Sequence, residues 1–221
     1  MSTGLILLII TGILIGFGVA QRVLDRMRLT DRQALFFAGL LLAGGLLPDI
    51  PLGRNLHINV GGALVPLGLC VYLLIKAGST KEVVRTLAAS LITAAAVYFL
   101  GRLLPDEPEQ AFMDFNYLYG LAAGAIAYIL SRSRRASFVS GVLGAILADV
   151  WSAAEIWAQG VDQPLYLGGA GAMDVIVISG LTAVLLAELM GELIERLTRG
   201  RTPDPDRVFD GGEFVERRRC R

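Results

Sequence analysis

The run GGAGAMDVIVISG, residues 168–180, is apolar and glycine-rich and carries one carboxylate, Asp174. Twenty-five residues earlier the run SGVLGAILADVWSAA, residues 140–154, carries another, Asp149. Each run is part of an apolar stretch long enough to cross a bilayer, which takes ~17–25 residues at ~1.5 Å rise. The fold therefore turns on whether these are neighbouring membrane helices with an acid inside each.

Composition favours that reading. The chain is 221 residues long, 54% hydrophobic and 18% charged, where a soluble domain has roughly 25% charged residues. The charges cluster between long apolar runs, so the net charge of zero says nothing about partners. Seven candidate spans result: 4–20, 34–48, 59–76, 84–104, 115–131, 137–157 and 167–190. The second is short and ends at LLPDIP, where Pro48 limits it. The loops test the count. Eighteen of the twenty Lys and Arg fall on one side of the alternation, leaving only Arg54 and Arg102 on the other. Under the positive-inside rule this puts the N-terminus outside and the C-terminus in the cytoplasm, in a cell's inner membrane. The expected fold is all-α, a polytopic bundle over residues 1–198 with some helices interrupted by Gly or Pro. Residues 199–221 are expected to form a disordered cytoplasmic tail. No internal repeat is strong enough to claim.

The outer side collects carboxylates: Asp49, then Asp106, Glu107, Glu109 and Asp114 with Asn116, then Glu155 and Asp162. Loop acids are ordinarily solvated. Asp149 and Asp174 are placed differently. Asp149 lies about a dozen residues, roughly 20 Å, from the cytoplasmic arginines, and Asp174 about seven residues, roughly 10 Å, below the outer surface. On antiparallel neighbours these depths coincide. A charge at mid-membrane costs ~2.5–3.5 kcal/mol, and such residues usually face the bundle interior and serve a function. Gly141, Gly144, Ala145, Ala148 and Ser152 recur at three- and four-residue steps, forming a small-residue face that Asp149 borders. Gly168, Gly169 and Gly171 permit close packing or an unwound start to span seven. Span three opens HINVGGALVP, residues 57–66, where Gly61, Gly62 and Pro66 predict a kinked or interrupted helix. His57 and Asn59 stand at its mouth. Trp151, Trp157 and Tyr166 fit an interfacial belt. Glu188, Glu192 and Glu195 share a helix face and are expected to be wetted.

Two adjacent carboxylates do not both ionise freely and titrate as one unit. One can act as base on a water while the other acts as acid toward a carbonyl. Asp149 in span six and Asp174 after a glycine-rich stretch in span seven resemble the presenilin and signal-peptide-peptidase type of intramembrane aspartyl protease. That resemblance implies a catalytic dyad, Asp149 and Asp174, cutting peptide bonds of spanning segments. The family's Gly-x-Gly-Asp motif is shifted: Gly169-Ala170-Gly171 comes two residues early and Met173 precedes Asp174. Ala148 stands where the family has tyrosine before the first aspartate. The family's later Pro-Ala-Leu element has no match after span seven, and GGALVP is assigned that part. Gly169, Gly171, Gly61, Gly62, Pro66, His57 and Asn59 would then support the substrate. HINVGGALVP with GGAGAMD also resembles an uncharacterised prokaryotic family of multi-pass membrane proteins.

The rival reading is an ion- or proton-coupled carrier, since intramembrane acids beside broken, glycine-rich helices also bind H⁺, Na⁺ or a divalent cation. Asp49, Asp114, Asn116, Asp149, Glu155 and Asp174 would line its cavity, with His57 and Asn59 joining. Seven spans is small for a carrier unless it dimerises. A third reading is a non-catalytic assembly protein whose acids lock helices together. One histidine and two separated cysteines, Cys70 and Cys220, leave no metal or disulfide signature. No cofactor or nucleic-acid motif is present, and the expected partners are membrane lipid and spanning peptides.

Overall fold

The computed structural model describes residues 31–103, 115–131, 133–198, 207–210 and 213–216. The expected first span, 4–20, and the acids Asp106, Glu107, Glu109 and Asp114 lie outside these residues. Within them the chain is mainly helical: α1 (Asp31–Gly45), a π-helical turn (Val60–Leu64) running into α2 (Val65–Ile75), α3 (Thr80–Leu103), α4 (Phe115–Ser131), α5 (Arg134–Ala158) and α6 (Val175–Thr198). Two of them, Thr80–Leu103 and Arg134–Ala158, are long and apolar enough to cross a membrane.

Local chemistry sets the boundaries. α1 stops at its terminal glycine pair, three residues before Pro48, which restricts the residue ahead of it. Before α3, the Ser79 hydroxyl accepts from the Glu82 N–H, and the Glu82 carboxylate accepts from the Gly78 N–H. Ser133 caps α5, accepting from the Ala136 N–H. Asp174 precedes α6, and its carbonyl accepts the first helical bond, from Ile178. α6 therefore begins eight residues later than the expected start at 167. Residues 165–173 form instead a strand, a glycine-rich turn and a 3₁₀ turn (Gly171–Met173).

The all-α expectation needs a correction as well. Three short strands, β1 (Ile50–Pro51), β2 (Leu56–Ile58) and β3 (Leu165–Leu167), form one sheet at one end of the helices. β1 and β2 are antiparallel, while β2 and β3 are parallel, with Leu56 opposite Leu165, His57 opposite Tyr166 and Ile58 opposite Leu167. Runs of two or three residues are too short for period-two alternation to register. In the polar tail, β4 (Arg207–Asp210) and β5 (Glu213–Glu216) pair antiparallel as a hairpin.

α5 is the central helix, packing on α2, α3, α4 and β3. Its contact face is made of small residues: Ser137, Ser140, Gly141, Gly144, Ala145 and Ala148 are all buried. Ser152 departs from that expectation; it is exposed and donates to the Ala148 carbonyl. A Cβ at Gly144 would lie 2.6 Å from the Thr93 methyl group, and one at Gly124 of α4 would lie 2.6 Å from Thr182 of α6. Small residues thus let the backbones come close. The outside carries the bulk instead. On α3 the buried positions are Thr86, Ala89, Ser90, Thr93, Ala94 and Val97, while Leu87, Leu91, Ile92, Phe99 and Leu103 are exposed. On α3, small and hydroxyl residues thus face inward and large apolar ones outward.

Candidate functional site

The two sequence runs that drew attention, HINVGGALVP and GGAGAMD, meet in the structure. β2 and β3 lie side by side and each leads into a helix whose first turn is irregular, π-helical after β2 and 3₁₀ after β3. The backbones cross on glycines. A Cβ at Gly62 would overlap the carbonyl of Gly168, and one at Gly61 would overlap the backbone of Leu41 and Gly45 in α1. A Cβ at Gly44 would meet the Gly61 nitrogen at 2.7 Å. Gly168 and Gly171 have φ of 73° and 61°, a region that favours glycine. Gly171 is buried against Gly45. Gly169, by contrast, is exposed, and the nearest atom to a Cβ there belongs to Tyr166. Pro66 is buried in the first turn of α2, directly after the π-helical turn, whose carbonyl it cannot bond because it has no N–H.

Polar side chains pin both irregular turns. Asn59 is 3% exposed. Its side-chain oxygen accepts from the Gly62 N–H at 2.9 Å, and its amide donates to the Asp49 carboxylate at 2.9 Å and to the Leu47 carbonyl at 3.3 Å. The backbone of Asn59 also donates to Leu167, tying the first turn to the second. His57 stacks on Tyr166, with ring centroids 4.6 Å apart. Asp174 does for α6 what Asn59 does for the π turn: its carboxylate accepts from the Ile176 N–H at 3.0 Å and the Ala170 N–H at 3.3 Å. One oxygen therefore caps α6 and the other holds the turn ahead of it.

Asp149 is half-buried on α5 and has no hydrogen-bond partner among the described residues. It is near enough to Asp174 for the two charges to act on each other. No hydrogen bond joins the two carboxylates. The structure thus brings together Asn59, Gly61 and Gly62 with Gly168 and Gly171. Among the other outer acids, Glu155 accepts from Tyr98 and Arg102, and Asp162 from Arg54 and Asn55. These acids are consequently occupied by neighbours. Among the described residues no cluster of three His, Cys, Asp or Glu is disposed to hold a metal ion.

Three features escaped the sequence reading. One is the Asp49–Asn59 bond. Another is the parallel pairing of LHI with LYL, whose only sequence trace is the likeness of the two tripeptides. The third is Glu188, expected to be wetted: it forms an ion pair with Arg134, and both side chains are mostly buried, at 16% and 17% exposure. Nothing in the spacing of Glu188 could have named a partner fifty-four residues away.

The family model described as "Protein of unknown function (DUF1614)" matches residues 10–186, so the chain belongs to that family. No curated protein and no solved structure matches it.

Proposed function

We propose that this family member is a seven-span protein of the cytoplasmic membrane that carries protons, with Asp149 as the proton-bearing group. The observation that carries the reading is the Asp149 carboxylate, half-buried on a long apolar helix, without a hydrogen bond among the described residues and within reach of the Asp174 charge. A carboxylate kept in such a place usually serves a function. Two like charges repel, and a proton between them relieves that repulsion. The setting also fits a carrier, whose sites form where interrupted helices meet. The large apolar side chains on the outside and the one-sided distribution of Lys and Arg support the membrane placement and the outside N-terminus.

The test is proton entry into proteoliposomes that hold a pH-sensitive dye, driven by a potassium diffusion potential. Wild-type protein acidifies the lumen faster than empty vesicles, and Asp149→Asn abolishes the difference. Wild-type vesicles indistinguishable from empty ones would refute the reading.

Intramembrane hydrolysis is the second reading, favoured by the proximity of the two aspartates on successive helices. It requires Asp174 to release at least one of its two backbone N–H partners before it can serve a substrate. Cleavage of a spanning peptide by wild type, lost in both Asp149→Asn and Asp174→Asn, would establish it in place of the carrier.

A further inference from the structure

α3 carries cations near both ends, and the two ends differ. Arg102, near the C-terminus, is neutralised: it pairs with Glu155 and lies over the Tyr98 ring, 4.9 Å from its centroid. Seventeen residues back stands Arg85, with Lys81 one turn before it. At ~1.5 Å per residue Arg85 and Arg102 are ~25 Å apart, close to the ~30 Å depth of a bilayer's hydrocarbon core. Lys81 and Arg85 are exposed, and among the described residues neither side chain has an ion-pair or hydrogen-bond partner. The adjoining carboxylate, Glu82, is turned to the preceding loop, where it accepts from the Gly78 N–H at 3.2 Å. Two further cations at that end are engaged: Arg134 pairs with Glu188, and Arg135 donates to the Lys76 carbonyl. The two unmatched cations border an open groove of about 350 Å³, lined among the described residues by Thr80, Lys81, Val84, Arg85 and Ala88. Val84, Ala88 and Leu91 follow one another at steps of four and three, so the same face runs on as an apolar stripe. Val84 is 60% exposed on it and Leu91 62%.

We propose that this groove seats one anionic phospholipid of the cytoplasmic leaflet, with its phosphate between Lys81 and Arg85 and an acyl chain along Val84, Ala88 and Leu91. The juxtaposition selects the occupant. A soluble anion meets the cations and leaves the apolar stripe bare. A zwitterionic lipid covers the stripe but brings a cation of its own to the two already there. An anionic lipid answers both features. Arginine offers phosphate a planar fork of donors and lysine a point charge. The groove also opens at the first turn of α3, where the helix dipole favours a negative group. Anionic lipids are concentrated in the cytoplasmic leaflet, where each basic side chain near the surface adds to their attraction. At the opposite end Glu155 already matches Arg102, so the charge complementarity is one-sided. The site rests on the membrane placement under Proposed function and is independent of proton carriage.

The experiment counts bound lipid. The full chain is equilibrated in detergent micelles holding equal amounts of phosphatidylglycerol and phosphatidylcholine, and the lipids that stay bound are identified by native mass spectrometry. Wild type retains phosphatidylglycerol over phosphatidylcholine on the order of tenfold. Lys81→Gln with Arg85→Gln abolishes the preference. Lys81→Arg with Arg85→Lys keeps both charges and keeps it. Arg54→Gln, which removes a cation near the sheet, leaves it unchanged. Protection of the buried Cys70 thiol in each variant, on a Cys220→Ser background, shows that the chain is folded. No preference in the wild type, a preference unmoved by the double Gln substitution, or displacement of the lipid by an equal concentration of glycerol phosphate would overturn the site. A chain that stays monodisperse without detergent would overturn the membrane placement and the site with it. Absent proton flux with the lipid preference intact would overturn the carrier reading alone.

Discussion

Replacing Asp174 separates its structural from its chemical duty. Alanine removes the acceptors of the Ile176 N–H at 3.0 Å and the Ala170 N–H at 3.3 Å. The cap is worth about 1 kcal/mol, the longer bond about 0.5 kcal/mol, and the negative charge at a helix N-terminus about 0.5 kcal/mol. Asp174→Ala should therefore lose about 2 kcal/mol. Asparagine keeps an oxygen for Ile176 but turns its NH2 toward the Ala170 N–H, so it forfeits the longer bond and the charge contribution, about 1 kcal/mol. For a chain of this size each kcal/mol moves Tm by roughly 2–4 °C. The expected falls are about 4–8 °C for alanine and about 2–4 °C for asparagine. Cys70 supplies the readout, because it is fully buried and reacts with a fluorogenic thiol dye only on unfolding; the background is Cys220→Ser. Equal falls for the two variants, or no fall for alanine, would show that Asp174 is not held as a cap.

Other substitutions probe the crossing and the acid. Gly62→Ala drives a methyl group into the Gly168 carbonyl between two backbones that cannot retreat, and should cost about 3 kcal/mol or more in thermal unfolding. Gly68→Ala, with nothing within 4 Å of its Cβ in the same helix, should gain about 0.5–1 kcal/mol, and a loss at both sites would refute the crossing. Asn59→Ala orphans the Gly62 N–H and should lose about 2–3 kcal/mol. Asn59→Asp should recover little of it, because it sets a second carboxylate against Asp49; full recovery would refute the assignment of that contact. Asp149→Asn breaks no hydrogen bond and should leave Tm within about 2 °C while abolishing proton entry; a large fall in Tm would show a structural partner.

Much of the helical layout is legible from apolar run length alone. Residues 115–131 coincide with α4, and the small-residue spacing of 141, 144, 145 and 148 names the face that α5 buries. The interruption at Gly61-Gly62 is also legible, since glycine pairs before a proline weaken a helix locally. Of residues 165–173 only the unwinding at the glycines is legible. Their hydropathy continues into α6, and only the contacts with β2 and with Gly62 turn them into strand and turn. Asp174 shows the same division for the site. Its position at the head of an apolar run is visible in the chain, but an acid there is equally a cap or a reacting group until its two oxygens are seen to hold Ala170 and Ile176.

The sequence by itself determined the class of molecule: helices, where most of them run, which faces are small, and which two acids stand inside apolar runs. Those properties are local, set by transfer free energy and helical periodicity along one segment at a time. Only the tertiary structure decided that GGALVP and GGAGAMD cross one another, that Asn59 reaches Asp49, and that Arg134 meets Glu188. These contacts join segments that no period links, and their geometry comes from how closely glycine backbones approach once the helices pack.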